Sequence, residues 1–266
     1  MTDRVVPKKS LGQHWLRDED ALGAMLQAAD VAHDDTVLEI GPGLGTLTKH
    51  LLQRAAQVIA VEFDATLATN LQSNLHLEDG PINDKLTVVQ QDILSFDLTS
   101  VPAPYKVVAN IPYYLTSNLI RVLSESSNPP EIAVLLMQKE VAERVCAEPG
   151  NMSILSVTAQ YFWEVSLDRV VPADLFEPAP KVDSQILVMH YRQKPLFDSV
   201  DTKQFFRLVK AGFGQKRKTL ENSLSGGLHM SKEEARSLLE KANVSPQTRA
   251  QALSLADWHS IYKSTS

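Results

Sequence analysis

Between Thr36 and Met137 the chain alternates short runs of β-branched and aliphatic residues with amphipathic stretches, and this rhythm limits the fold more than any other feature. Strands are predicted at Thr36–Ile40, Val58–Phe63, Leu86–Gln90, Lys106–Ala109 and Ile132–Met137. Helices fall between them: Leu44, Leu47 and Leu51 recur at i, i+3, i+7, and Leu67, Leu71 and Leu75 at i, i+4, i+8. Asp64 and Thr116 are placed to cap helices running into Leu67 and Leu119. Strands this apolar, regularly separated by helices, imply a parallel sheet covered on both faces.

Past Gln138 the pattern predicts a helix to about Ala147, a turn at Pro149-Gly150 and a second helix from about Ser153. Val165–Val171 and Gln185–Tyr191 read as two more strands, a hairpin-like pair at one sheet edge. Pro172, Pro178 and Pro180 keep the segment between them from forming a regular element. A composition shift at Gln193-Lys194-Pro195 divides the chain into a domain over 1–194 and a helical domain over 195–266. In the latter, Ser231-x-x-Glu234 and Ser254-x-x-Asp257 have the form of capping boxes.

Composition rules out several classes. The longest apolar run, Ile132–Met137, is far short of the roughly 20 residues a membrane span needs, and no apolar stretch follows the first residues as a secretory signal would. The single cysteine, Cys146, leaves no disulfide framework and suits the cytoplasm. Seven histidines without H-x-x-x-H or C-x-x-C spacing give no expectation of a metal.

Val37-Leu38-Glu39-Ile40-Gly41-Pro42-Gly43-Leu44-Gly45 puts three glycines directly after a strand and before a helix. Glycine suits a sharp turn where a ligand must approach the backbone. The spacing is G-x-G-x-G rather than the G-x-G-x-x-G of dinucleotide folds, and Glu39 two residues ahead of it is also a feature of methyltransferases. Two further acids stand at strand ends, where open α/β sheets bind ligands. Glu62 can accept from both ribose hydroxyls, and Asp92 can accept from an adenine amino group. Singly each is an ordinary turn or cap; in this order they indicate a nucleoside-containing cofactor. The absence of Gly-Lys-Ser/Thr argues against a P-loop.

Asn110-Ile111-Pro112-Tyr113 follows the fourth strand. Taken alone it is equally an ordinary turn. Beside a methyl donor its chemistry is specific. The lone pair of an aromatic amine is delocalised into the ring, and two acceptors on its hydrogens, the Asn110 side-chain oxygen and the Ile111 carbonyl, favour a pyramidal nitrogen and stabilise its developing positive charge. Pro112 stiffens the loop, and Tyr113 offers a ring for a splayed base, a stacking contribution of about 1–3 kcal/mol. The Phe176–Ser184 loop, extended by its prolines, is expected to present Phe176 to the other face of that base.

Net charge is −6 and the pI near 5.7, mildly against a nucleic-acid partner. Distribution says otherwise. Lys203, Arg207, Lys210, Lys216, Arg217 and Lys218 occur with no acid among them, and Arg4, Lys8, Lys9 and Arg17 make a second basic patch, a layout able to hold phosphates locally or to serve as solvated cationic faces.

Lys9-Ser10-Leu11-Gly12-Gln13, the Glu39–Gly45 loop, Asn110–Tyr113, Phe176–Ser184 and Phe213–Leu220 occur in this order, and the chain resembles the bacterial ribosomal RNA small-subunit adenine dimethyltransferases over about Lys8 to Trp258. The resemblance implies a Rossmann-like class I methyltransferase fold, α/β with a mostly parallel seven-stranded sheet, and a small C-terminal all-helical domain. It implies S-adenosyl-L-methionine as cofactor, with Gln13, His14, Leu16, Glu39, Gly41, Gly43, Gly45, Glu62, Asp92 and Asn110 around it. Asn110, Ile111, Pro112, Tyr113 and Phe176 would form the catalytic site, and Lys216, Arg217 and Lys218 would contact rRNA. The implied reaction is N6,N6-dimethylation of two adjacent adenosines near the 3′ end of small-subunit rRNA, in a pre-assembled but immature subunit. The protein is expected to be a cytoplasmic monomer needing neither metal nor membrane. His14-Trp15 departs from the Asn-Phe common in the family. Large-subunit rRNA adenine methyltransferases of the antibiotic-resistance type share the cofactor and reaction motifs; the acidic pI and the Phe213–Leu220 segment favour the small subunit.

Overall fold

The computed structural model describes residues 13–75 and 84–265. Arg4, Lys8, Lys9 and the Lys9–Gly12 part of the first motif lie outside the described residues. The described chain opens with a two-residue strand, β1 (Trp15–Leu16), and helix α1 (Glu19–Ala28). Strands β2 (Thr36–Ile40), β3 (Gln57–Glu62) and β4 (Leu86–Gln90) follow, with α2 (Thr46–Arg54) and α3 (Ala65–Asn74) between them. Next come β5 (Lys106–Asn110), α4 (Thr116–Glu125), β6 (Ile132–Gln138), α5 (Lys139–Val145) and α6 (Ile154–Phe162). Strands β7 (Trp163–Val171), β8 (Phe176–Glu177) and β9 (Ser184–Tyr191) complete the strand set.

Seven strands form one sheet in the order β4-β3-β2-β5-β6-β9-β7. The first five are mutually parallel, and β9 runs antiparallel to both β6 and β7. From β2 the chain winds outward through β3 and β4, then returns to lay β5 on the other side of β2. The switch in direction therefore falls between β2 and β5, and the crevice beyond their carboxyl ends is where such sheets bind ligands. Val107 to Ala109 and Ile132 to Met137 are buried without interruption, as expected when both sheet faces are covered. On one face Val37, Val58, Ala60, Val108, Val134 and Ile186 pack against Leu22, Met25 and Leu26 of α1 and Leu47 and Leu51 of α2.

Local chemistry sets the element ends. Asp64 caps α3 as its position suggests, its Oδ1 accepting from Thr66 N at 2.9 Å. Thr116 does not cap: the turn Tyr113–Leu115 is already helical, so Thr116 is the first residue of α4 and is buried. The proline-rich segment does contain a regular piece, because β8 pairs antiparallel with β1, Leu16 opposite Phe176 and Trp15 opposite Glu177.

The described residues up to Ala142 together with Trp163–Tyr191 make one compact unit, and Glu143–Phe162 with the chain from Arg192 onward make the other. A single boundary near Pro195 thus misses that α6 belongs with the C-terminal helices. The reason is packing: Val157 and Tyr161 of α6 lie in one apolar cluster with Phe205, Leu208, Leu224 and Trp258, and the Tyr161 ring stacks on Phe205 at 5.0 Å. The cluster as a whole draws on α7 (Thr202–Phe213), α8 (Leu220–Leu228), α9 (Lys232–Lys241), through Ala235 and Leu239, and α10 (Leu255–Lys263). Both capping boxes are present, Ser231 with Glu234 opening α9 and Ser254 with Asp257 opening α10.

Candidate active site

Side chains alternate along a strand, so residues two apart share a sheet face. On the face that buries Val37, Ala60 and Val108, the next positions are Glu39, Glu62 and Asn110. Register fixes their levels: Glu39 stands beside Ala60 and Val108, and Glu62 and Asn110 stand one level further toward the carboxyl ends. An apolar stripe therefore ends in three polar groups at the switch point, around a cavity of about 380 Å³.

The glycine loop roofs this cavity. Gly41 and Gly43 have φ of 68° and 57°, which L-residues rarely adopt, and a Cβ on Gly43 would lie 3.0 Å from Trp15 Nε1. Both line the cavity. Gly45 does not, although its place in the motif assigned it to the cofactor. It starts α2 at φ 87°, where a Cβ would come within 2.9 Å of Leu75, so it serves the packing of α2 on α3.

Glu62 is buried, with Oε2 accepting from Gly43 N at 3.1 Å and Oε1 from Asp64 N at 2.8 Å. Burial holds its carboxyl above the usual range, and the two amide donors work against that rise. Asp92 caps the short helix after β4 through Oδ1, bonded to Leu94 N at 2.9 Å, and its Oδ2 has no partner among the described residues. Glu39 is 1% exposed; burial pushes its carboxyl up to about 8, opposed by the Thr48 hydroxyl and amide and reinforced by the charge of Glu62. Its Oε2 has no hydrogen-bond partner among the described residues.

Asn110 closes the cavity from the β5 side. Its Nδ2 donates to the His14 carbonyl at 3.1 Å. The Ile111 amide is tied to the Leu136 carbonyl of β6 at 3.2 Å, and Leu115 N bonds back to the Pro112 carbonyl at 3.0 Å, so the loop is held at both ends. Gln13, His14 and Leu16 all line the cavity, with His14 Nδ1 donating to the Pro178 carbonyl at 2.7 Å. A carbonyl can only accept, so this fixes the proton on Nδ1. The Tyr113 side chain lies outside the described residues.

After Gly45, a second expected placement differs. Phe176 is not at the cavity: pairing of β8 with β1 turns it into the core, 5% exposed. Lys216, Arg217 and Lys218 form no part of this site; they occupy the exposed turn between α7 and α8 of the other unit, in no ion pair among the described residues. Conversely, sequence reasoning passed over Trp15, Phe63 and Tyr114, all of which line the cavity. Phe63 and Tyr114 are more than half exposed, and the Tyr114 hydroxyl is raised by burial and by the charges of Asp92 and Glu62. Their one sequence signal is adjacency, Phe63 to Glu62 and Tyr114 to Tyr113.

The residues fit a sulfonium nucleoside bearing an amino acid. Two carboxylates, Glu62 and Asp92, line the cavity as acceptors, a third buried carboxyl keeps an oxygen with no partner among the described residues, and the glycines leave a cradle that Cβ atoms would fill. A glycine loop, strand-end acids and an Asn-Ile-Pro-Tyr loop on a Rossmann-like sheet define the class of S-adenosyl-L-methionine-dependent methyltransferases.

A family model described as "Ribosomal RNA adenine dimethylase" matches residues 6–266. The "Ribosomal RNA small subunit methyltransferase A" of Dehalococcoides mccartyi strain 195 is 41% identical over 254 residues, covering 94% of this chain and 86% of the relative. That of Lactococcus lactis is 40% identical over 261 residues, covering 94% and 87%. Among solved structures, a dimethyladenosine transferase from Plasmodium falciparum aligns with TM-score 0.78 at 27% identity, covering 93% of this chain and 96% of that one. The 23S rRNA methyltransferase ErmE aligns with TM-score 0.72, also at 27% identity, covering 94% and 98%. The chain belongs to the ribosomal RNA adenine dimethylase family and is an rRNA adenine dimethyltransferase. No helix among the described residues is long and apolar enough to cross a membrane, and no group of three or more His, Cys, Asp or Glu among them could hold a metal.

Proposed function

We propose that the chain dimethylates two adjacent adenosines near the 3′ end of small-subunit ribosomal RNA, acting as a cytoplasmic monomer on a pre-assembled, immature subunit. The observation that carries the chemistry is the orientation of the Asn110 amide. With Nδ2 committed to the His14 carbonyl, Oδ1 is the end left to accept from a substrate amine. The reverse orientation would set two oxygens against each other.

S-adenosyl-L-methionine, when bound, supplies an electrophilic methyl on positively charged sulfur. Everything else is done by this chain. Asn110 Oδ1 and the Ile111 carbonyl accept the two amine hydrogens, pyramidalise the nitrogen and stabilise the positive charge that grows on it. No general base is needed beforehand, because the amine loses its proton after transfer; positioning supplies most of the acceleration. Glu62 orients the ribose and Asp92 the adenine of the donor, while Gln13, His14 and Leu16 close the cavity behind them. Pro112 keeps Asn110 and Ile111 in place, and Tyr113 is the stacking platform for the target base. Phe176, seated in the core, holds the strand pair that carries His14 rather than touching the base. Lys216, Arg217 and Lys218 contact rRNA phosphates.

The similarity to small-subunit enzymes at about 40% identity supports the choice of subunit. The test is mass spectrometry and primer-extension mapping of rRNA after incubation with the purified chain. Dimethyladenosine is expected at two adjacent positions of immature small subunits. Modification confined to large-subunit rRNA, or to naked rRNA, would overturn the assignment.

A further inference from the structure

Glu39 is the one carboxyl at the cavity that the proposed reaction leaves without a task. It is 1% exposed, and its Oε2 is buried with no partner among the described residues. It stands one level beneath Glu62 and Asn110, between the strands that carry them. Among the described residues the charged group facing it is Glu62 on β3; α2 presents Thr48, which is uncharged, and β5 presents Val108 and Asn110.

We propose that Glu39 makes the site prefer the cationic methyl donor over its neutral product. The inference rests on the reading of this cavity as the donor site. A carboxyl removed from water beside a second carboxylate is held in its neutral form, and burial raises it to about 8. A fixed positive charge near it reverses that balance. Glu39 therefore gives its proton to solvent when the sulfonium compound binds and is ionised beneath it. Methyl transfer converts the sulfonium to an uncharged thioether, with the bonding pair of the broken S–C bond retained by sulfur. Glu39 then takes a proton back from solvent, and the attraction that favoured the donor is gone. The methylated amine sheds its own proton separately, so each turnover is balanced. The consequence is differential binding within one cavity: ribose, adenine and amino-acid contacts are common to donor and product, and only the charge that Glu39 senses differs between them.

Calorimetric titration of the full chain with S-adenosyl-L-methionine and with S-adenosyl-L-homocysteine, each in phosphate and in Tris buffer, counts the protons released. Donor binding near pH 7 is expected to release close to one proton more than product binding. The donor-over-product preference is expected to grow by up to roughly tenfold per pH unit below about pH 8 and to level off above it. In Glu39→Gln the extra proton and the pH dependence that Glu39 gives the wild-type preference should vanish. The donor's own ammonium titrates alike in both proteins and cancels. Equal proton counts for the two ligands on the wild-type chain, or an extra proton that persists in Glu39→Gln, would overturn the proposal while leaving the donor site intact. Failure of the wild-type chain to bind either ligand would overturn the donor site itself.

Discussion

Asn110 acts through the direction of one amide, and that direction is imposed from outside the motif by a backbone carbonyl 96 residues away in sequence, that of His14. Asn110→Ala is expected to lower methyl transfer by roughly 10²-fold or more, the scale of losing one transition-state acceptor. Dissociation constants for S-adenosyl-L-homocysteine and for the small subunit should change by less than threefold, as roughly estimated for a contact made mainly in the transition state. Methylation kinetics beside equilibrium binding decide it, and unchanged turnover would refute the amine clamp. Glu39 gives a second expectation at this scale, on stability. Its carboxyl is raised in the folded chain to about 8 from 4.5, so the folded state binds the extra proton. Its contribution to stability is present below about pH 4.5 and is lost as pH rises to about 8. Glu39→Gln should therefore gain on wild type by a few kcal/mol, on the order of magnitude linkage allows, in thermal unfolding at pH 8, and gain little at pH 5. Glu39, Glu62 and Asp92 were legible because each sits where an apolar run ends, and Asn110 because a polar residue there has few structural uses. Gly45 and Phe176 were misplaced because their neighbours, Leu75 and Leu16, are brought to them by tertiary packing that no local spacing reveals.

At the scale of elements, the seven strands of the main sheet were readable to within two residues, most of them because a short apolar run bounded by polar ends survives any tertiary context. The pair β1·β8 was not. Each strand has two residues, too few for a period, and they meet across some 160 positions of sequence. Helix α1 went unread despite Leu22, Met25 and Leu26 on one face and Asp18 capping its first turn, bonded to Ala21 N at 2.8 Å. The small strand pair nevertheless holds His14 against Pro178 and Asn110. Phe176→Ala is accordingly expected to destabilise the chain by about 3–5 kcal/mol, the usual cost of emptying a buried aromatic site. It should weaken S-adenosyl-L-homocysteine binding as well, because Gln13, His14 and Leu16 lose their support. Chemical denaturation and calorimetry would show both effects, whereas a base-stacking Phe176 would lower turnover and leave stability alone. In the helical unit the tightest approach is Gly212 on α7, where an added Cβ would overlap the Trp258 ring. Gly212→Ala is expected to cost about 1–3 kcal/mol through overpacking.

At the scale of the whole molecule, an acidic chain carries its cationic groups as a local exception. The net charge is −6, yet six basic residues occur between Lys203 and Lys218 without one acid, and the structure sets them on α7 and on the turn that follows it. Two units divide the labour by composition. One ends its apolar stripe in carboxylates that suit a cationic nucleoside, and the other exposes lysine and arginine that suit a polyanion. If the basic segment grips rRNA as proposed, substrate affinity, but not donor affinity, is expected to be sensitive to salt. Replacing Lys216, Arg217 and Lys218 with Gln should weaken binding to immature small subunits. It should also flatten the dependence of log K on log salt by about 2 to 3, close to one unit for each phosphate that is no longer neutralised. S-adenosyl-L-homocysteine binding should stay as it was, because no group in the cavity has changed. Filter binding of labelled subunits across a salt series measures the slope directly. A slope equal to that of the wild type would mean that the turn is solvated in the complex, and that the rRNA is gripped elsewhere on the chain.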